Sequence, residues 1–327
     1  MEILEKVFNK ELDINSGLLN RKICFLDIET TGLNRSTDSI YLIGLVFYDN
    51  EVQGWKMVQL FAEELKEEID VLLEAYKLLE VFDLIINYNG NSFDIPFINS
   101  KLKFYKTDLS IDMDKSLDLY RIIQANKKIL QLHNYKLKTI EEYLGIYRED
   151  KITGRECINL YFDYLITKNS ISKANILLHN YEDLYYLLDV IKIIDILKHK
   201  KSFLINCSNM ENIFLIEEIN LNKDYLLIKG KIDNNSIGNT VYFAENYKII
   251  ISNDDKFEVS LEVKEGLVSP TQRCVFINVV DYDLPRQGYY SNQFKLPKGI
   301  VLLSVEKNYF IENLKLVLER LIDRTVN

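Results

Sequence analysis

Residues 22–32 read KICFLDIETTG, an apolar run that ends in two acids and a Thr-Thr-Gly stop. The short stretch 22–28, rich in β-branched and aromatic residues, predicts a strand, and Gly32 marks the turn that follows it. Asp27 and Glu29 stand two apart at the strand end, so the period of two puts both carboxylates on one side of the sheet. Two neighbouring anions beside an apolar strand are costly unless cations offset them. A surface acidic turn closed by a glycine would share the Asp-x-Glu; the added Thr30-Thr31-Gly32 tips the reading toward a metal-holding strand end.

Working outward, residues 39–48 (SIYLIGLVFY) and 55–62 (WKMVQLFA) are two further strand-like runs joined by the loop Asp49–Gly54. With 22–28 they predict an antiparallel three-strand meander. Residues 63–81 carry Leu65, Ile69, Leu72 and Leu79 on one side of a charged helix. Residues 83–88 (DLIINY) predict a fourth strand, with a helix starting near Asp94, and a helix-rich stretch runs from Ser116 to about His199. The order βββαβα followed by more helices predicts an α/β layer fold around a mixed sheet.

Beyond Lys201 the texture changes. Segments 212–219, 225–232, 240–251, 257–264 and 273–281 are short, rich in Ile, Val, Phe and Tyr, and separated by Asn, Asp and Gly turns. They predict a smaller all-β module, closed by an amphipathic helix over 305–322. The expected division is therefore 1–200 and 201–327, in line with a chain of 327 residues forming about two domains.

Composition narrows the function classes. With 47% hydrophobic and 27% charged residues, the chain is an ordinary globular sequence. Cys24, Cys157, Cys207 and Cys274 lie far apart with no CxxC pair, which excludes a disulfide framework and a zinc motif by spacing; Cys24 and Cys274, in apolar runs, are expected to be buried thiols. No stretch approaches the roughly 18–20 apolar residues of a membrane span. The start MEILEKVFNKELD lacks the basic-then-apolar form of a signal peptide, so a cytoplasmic location is expected. The net charge of −9 argues against a non-specific nucleic-acid coat, although divalent ions can reverse the charge at a site.

Two further motifs bear on chemistry. Tyr88-Asn89-Gly90-Asn91-Ser92-Phe93-Asp94 joins a strand to a helix; on its own, Asp94 reads equally as a helix N-cap. In Leu178-His179-Asn180-Tyr181-Glu182-Asp183, the residues Leu177, Leu178, Tyr181, Leu184, Tyr185 and Leu188 form the expected apolar stripe. His179 and Asp183, four apart, share another face, which alone would pass for a solvated one. Asp118, before Leu-Tyr-Arg-Ile-Ile, reads first as a helix N-cap and second as a residue tuning the site. His133 and His199 show no partner in the sequence and are expected at the surface.

Together the three motifs resemble the DEDD exonuclease superfamily: Asp-x-Glu, then Asp in an Asn-x-x-x-Phe-Asp context, then a late helical Asp. The likeness is closer still to the YprB-type RNase H-like family. It is carried also by Ile40-Tyr41-Leu42-Ile43-Gly44, Leu117-Asp118-Leu119, Leu137-Lys138-Thr139-Ile140-Glu141, Leu144-Gly145-Ile146, Ile152-Thr153-Gly154 and His179-Asn180, over residues 22–196. The resemblance implies an RNase H-like mixed sheet flanked by helices and a 3′→5′ exonuclease on DNA or RNA, taking a single-stranded 3′ end. It implies that Asp27, Glu29, Asp94 and Asp183 hold two divalent ions, Mg²⁺ or Mn²⁺, one activating water and one stabilising the leaving oxygen. It further implies that His179 orients or deprotonates the water, with Thr30, Thr31, Leu33 and Asn89 contacting the terminal nucleotide. One departure stands out: this histidine occupies the spacing, four before the last Asp, that the tyrosine branch of the superfamily uses. The competing expectation is a catalytically idle nucleic-acid-binding or protein-interaction module that kept the fold.

Overall fold

In the computed structural model, residues 1–12, 21–148, 152–291 and 294–327 are described. The chain divides into two compact units, Met1–Ala125 with Leu132–Ile193, and Asn126–Gln131 with Ile194–Asn327.

The first unit is built on a six-stranded mixed sheet. Its strands are β1 (Glu2–Phe8), β2 (Ile23–Thr30), β3 (Ile40–Asp49), β4 (Gly54–Phe61), β5 (Leu84–Asn87) and β6 (Ser116–Asp118), in the order β1-β4-β3-β2-β5-β6. The meander β2-β3-β4 is antiparallel, as the three apolar runs predict, whereas β5 and β6 add parallel to β2. The sequence reading has no counterpart for β1, which pairs antiparallel with β4 at the sheet edge. Its charged residues Glu5 and Lys6 are exposed there, which suits an edge strand and hides it from a hydrophobic-pattern search.

Helices α1 (Glu68–Leu79), α2 (Asp94–Phe104) and α3 (Leu119–Ala125) follow their strands; α4 (Lys127–Leu130) belongs to the second unit. Then come α5 (Leu137–Tyr143), α6 (Gly154–Thr167), α7 (Ser170–Val190) and α8 (Ile193–Lys201). Tyr161 on α6 stacks on Tyr41 of β3 with centroids 3.9 Å apart, and Phe61 meets Tyr161 and Tyr164 edge-on. Each aromatic pair contributes about 0.5–1.5 kcal/mol beyond its area burial, and together they clamp α6 to the sheet.

Helix α7 corrects the expected stripe. Leu184 and Leu188 are buried, but Leu178 is 43% exposed, while His179 and Asn180 are buried. The helix lies against β2 and β3, and its polar side chains find partners on that face. Tyr181 and Tyr185 instead stack on each other and pack against Phe8 of β1.

The second unit holds two antiparallel sheets. One runs β10 (Thr240–Phe243), β11 (Tyr247–Ser252), β12 (Lys256–Glu262), β9 (Tyr225–Asp233), β8 (Met210–Asn222), β7 (Ser202–Cys207). The other is β13 (Lys264–Ser269), β14 (Gln272–Asn278), β15 (Ile300–Val305), β16 (Asn308–Tyr309). The single run expected over 240–251 is two strands, because the chain reverses where the Ala244 N–H meets the Tyr247 carbonyl. The closing helix α9 (Ile311–Val326) starts later than expected: Val305 ends β15, and Glu306 and Lys307 turn through positive φ. Its Leu314, Val317, Leu318, Leu321 and Ile322 are fully buried at helical spacing. Among the described residues no helix is long and apolar enough to cross a membrane. None of the four cysteines is in a disulfide, and all are buried.

Candidate active site

Strand β2 delivers Asp27 and Glu29 to the face covered by α7. Asp27 lies opposite Gly44 of β3 and Glu29 opposite Leu42. Oxygens of Asp27, Glu29 and Asp183 all lie within 4.8 Å of one another, although Asp183 stands more than 150 positions from the other two in sequence. Asp94 joins them as the first residue of α2, where its Oδ1 accepts the Ile28 N–H at 3.1 Å. All four acids of the three motifs therefore converge on the end of β2.

Electrostatics set this cluster apart from a solvated acidic turn. Burial, then the charges of Asp183 and Asp94, hold the Asp27 carboxyl well above its ordinary range. Asp94 is pushed up to about 7, first by burial and further by Asp118 and Asp183, against the backbone N–H groups it accepts. The carboxylates of Asp27, Glu29, Asp94 and Asp183 form a hard-oxygen donor set that a divalent cation suits. The residues thus fit Mg²⁺ or Mn²⁺.

His179 lies between two of these acids, its Nε2 3.7 Å from Glu29 Oε1 and 3.7 Å from Asp183 Oδ2. Asn180, next along α7, donates from Nδ2 to Asp27 Oδ2 at 2.8 Å. Its Oδ1 accepts from Gln59 Nε2, also at 2.8 Å, and Gln59 is anchored in turn on the Leu177 carbonyl. Gly44 makes this contact possible: a Cβ there would lie 2.2 Å from Asn180 Oδ1.

The Asn89–Asp94 loop is held from below. Asp118 Oδ1 accepts from the Asn89 and Tyr120 N–H groups, and its Oδ2 from Asn91. It thus caps α3, as the sequence predicts, and fastens the second motif as well. Gly90 is required because a Cβ would meet the Asn87 side chain at 2.4 Å, where Asn87 Oδ1 takes the Gly90 N–H. Asn89 itself adopts φ +68°.

Of the expected substrate contacts, Thr30 is buried with its hydroxyl on the Gly32 carbonyl, and the Thr31 hydroxyl accepts the Ser39 N–H. Leu33 is 81% exposed. His133 and His199 are exposed.

Sequence reasoning missed Arg148. Its guanidinium forms a fork onto Glu141 and reaches Asp183 Oδ1 with the remaining edge. Glu141 and Arg148 have side chains only 1% and 4% exposed, so this is a buried pair that fastens one oxygen of the late aspartate. Nothing in a single sequence links positions 141, 148 and 183; Glu141 stood in the noted Leu-Lys-Thr-Ile-Glu motif, but its arginine did not. Gln59, Asn180 and Cys157 were likewise not assigned roles.

The chain is 29% identical over 131 residues to the PolC-type DNA polymerase III of Ureaplasma parvum serovar 3, covering 34% of this chain and 9% of that protein. It therefore spans less than a tenth of that relative. Structural similarity extends to the family B DNA polymerase of the archaeon Pyrobaculum calidifontis (TM-score 0.43, 16% identity, 55% of this chain and 25% of that one). It extends also to exonuclease I (TM-score 0.33, 14% identity, 64% and 55%). A family model for the RNase H superfamily matches residues 24–194, just over half of the chain and running from within β2 past the end of α7, and the chain belongs to that superfamily.

Proposed function

We propose that this protein is a divalent-metal-dependent 3′→5′ exonuclease acting on the single-stranded 3′ end of DNA or RNA. One observation carries the reading: Asp27 and Glu29 of the first motif and Asp183 of the third, remote in sequence, meet within bonding reach of a common cation, with Asp94 of the second held beside them on the Ile28 N–H. The YprB-type spacing of the motifs supports the finer placement within the superfamily. We assign the chemistry to residues 1–200 and leave the β-rich 201–327 without a catalytic part.

Asp27, Glu29, Asp94 and Asp183 would hold two ions, Mg²⁺ or Mn²⁺. Such ions supply Lewis acidity toward a phosphodiester and ease deprotonation of water. Asn180 and Arg148 fix the orientation of Asp27 and Asp183, so that little reorganisation is needed at the moment of reaction. His179 Nε2, between two acidic oxygens, is placed to take the proton of the attacking water. Thr30, Thr31, Leu33 and Asn89 line the approach of the terminal nucleotide in this reading, with Leu33 offering an apolar surface to its base.

The test is to replace Asp27, Glu29, Asp94 and Asp183 singly with Ala. Each variant should stay folded, lose cleavage and lose the rise in melting temperature that Mn²⁺ gives the wild type by binding the folded state. A wild type whose melting is indifferent to Mn²⁺ would instead favour an idle fold.

A further inference from the structure

We infer that Glu29, Cys157 and His179 form a Zn²⁺ site that switches the enzyme off. The Cys157 sulfur, a Glu29 oxygen and a His179 ring nitrogen all lie within 4.8 Å of one another, and all three residues are buried. Each stands on a different element: Glu29 on β2, Cys157 in the first turns of α6, His179 midway along α7. The packing of α6 and α7 on the sheet therefore fixes their spacing before any ion arrives. His179 Nε2 and Glu29 Oε1 are 3.7 Å apart. Two ligands about 2.0–2.1 Å from a tetrahedral ion lie roughly 3.4 Å apart, so only a small closure is needed.

The donor chemistry selects the metal. A thiolate, an imidazole and a carboxylate suit Zn²⁺, whereas Mg²⁺ and Mn²⁺ prefer oxygen and gain little from sulfur. Asp183 Oδ2, 3.7 Å from His179 Nε2, or a water can complete four ligands.

A second observation points to the same place. The Tyr41 hydroxyl is fully buried and has no hydrogen-bond partner among the described residues. Burial first, and then Glu29 and Cys157 beside it, push this hydroxyl up from its ordinary range. A hydroxyl there can donate to the carboxylate or the thiolate, the kind of outer contact that steadies a ligating group.

Zn²⁺ binding exchanges the Cys157 S–H proton for an S–Zn bond, the proton passing to buffer. It also ties up Glu29 and His179, which the proposed reaction needs. The inhibition thus rests on the exonuclease reading, but the site does not.

The experiment uses Co²⁺ as a spectroscopic stand-in for Zn²⁺ on the full chain after chelator treatment. Wild type should develop thiolate-to-cobalt charge-transfer absorption, bleached by one equivalent of Zn²⁺ and untouched by Mg²⁺. Cys157→Ser and, separately, His179→Gln should each lack it. The affinity of structural zinc is shared among its four ligands, so losing one is worth roughly 10²-fold or more. Cys157→Ser should accordingly need about that much more Zn²⁺ for half-inhibition, measured against its own zinc-free rate. No band in wild type overturns the site. So does a band that survives in Cys157→Ser, which would place the thiolate elsewhere. Should Cys157→Ser not fold, the wild-type band and its loss in His179→Gln decide the matter. A protein that shows the band but never cleaves nucleic acid keeps the zinc site and loses the exonuclease reading.

Discussion

Asn180 donates to Asp27 Oδ2 across the α7–β2 contact, and its amide oxygen is held in turn by Gln59. This joint settles which way one acid of the cluster points. Outer contacts of this kind are worth about 10–100-fold in metal affinity or activity. Asn180→Ala should therefore lower both Mn²⁺ affinity and turnover by about that factor, read by calorimetry and by initial rates. Gly44→Ala should disturb the same joint from the other side and cost roughly 1–3 kcal/mol through overpacking, measured by urea unfolding. Unchanged Mn²⁺ affinity in both variants would show that the joint is packing alone.

Arg148 supports the opposite acid. Removing one partner of a buried ion pair destabilises by about 3–5 kcal/mol, because the other charge is left without compensation. Arg148→Ala should pay that full amount at Glu141, whose carboxyl burial already raises. The double variant Arg148→Met with Glu141→Leu should recover most of the stability, while Mn²⁺ affinity stays low because Asp183 has lost its anchor. Recovery of both would mean that Arg148 serves the fold and not the ligand.

The raised carboxyl of Asp94 makes a prediction for the chelator-treated protein. An acid whose folded pKa exceeds its unfolded value keeps its proton more tightly when folded. Its contribution is complete below the unfolded value near 4 and is lost as pH rises through the folded value of about 7. At about 1.4 kcal/mol per unit, up to roughly 4 kcal/mol is at stake. Asp94→Asn cannot ionise and retains an oxygen for the Ile28 N–H. Wild type should lose stability relative to this variant between about pH 4 and 8, and Mn²⁺ should restore it. Parallel unfolding curves across that range would contradict the electrostatic account of the cluster.

His179 carries the proton-transfer assignment. His179→Ala should lower turnover by roughly 10²- to 10⁴-fold, the usual contribution of a positioned acid–base group, with Mn²⁺ binding retained by the four acids. His179→Tyr, which restores the side chain used at this spacing in the tyrosine branch, should keep more activity than Ala. An unchanged rate in His179→Ala would make the histidine a bystander in catalysis.

Much of the first unit was legible because its strands are continuous apolar runs with punctuated ends, as in 22–28 followed by Thr-Thr-Gly. Strand β1 was not, since its apolar Ile3, Leu4, Val7 and Phe8 do not alternate and Glu5 and Lys6 lie in solvent at the sheet edge. Helix α7 misled for a different reason. Its stripe was judged by leucines and tyrosines, yet His179 and Asn180 are turned to the sheet beside Leu184, because Asp27, Glu29 and Gln59 wait there. Burial of a polar side chain depends on partners far away in sequence, and local periodicity cannot see them. The same limit hid Arg148, whose two acids lie 7 and 35 positions away. Asp118 shows the intermediate case: its cap was readable from the next three residues, its grip on Asn89 and Asn91 was not.

The central claim is tested most directly by single-turnover digestion of a 5′-labelled single strand, DNA and RNA in parallel, with Mn²⁺. The strand is offered with a free or a blocked 3′ end, to wild type and to Asp27→Ala. The account predicts stepwise shortening from the free 3′ end with release of mononucleotides, none from the blocked end, and none with Asp27→Ala. Cleavage of the blocked strand at internal positions, or equal digestion by Asp27→Ala, would contradict it.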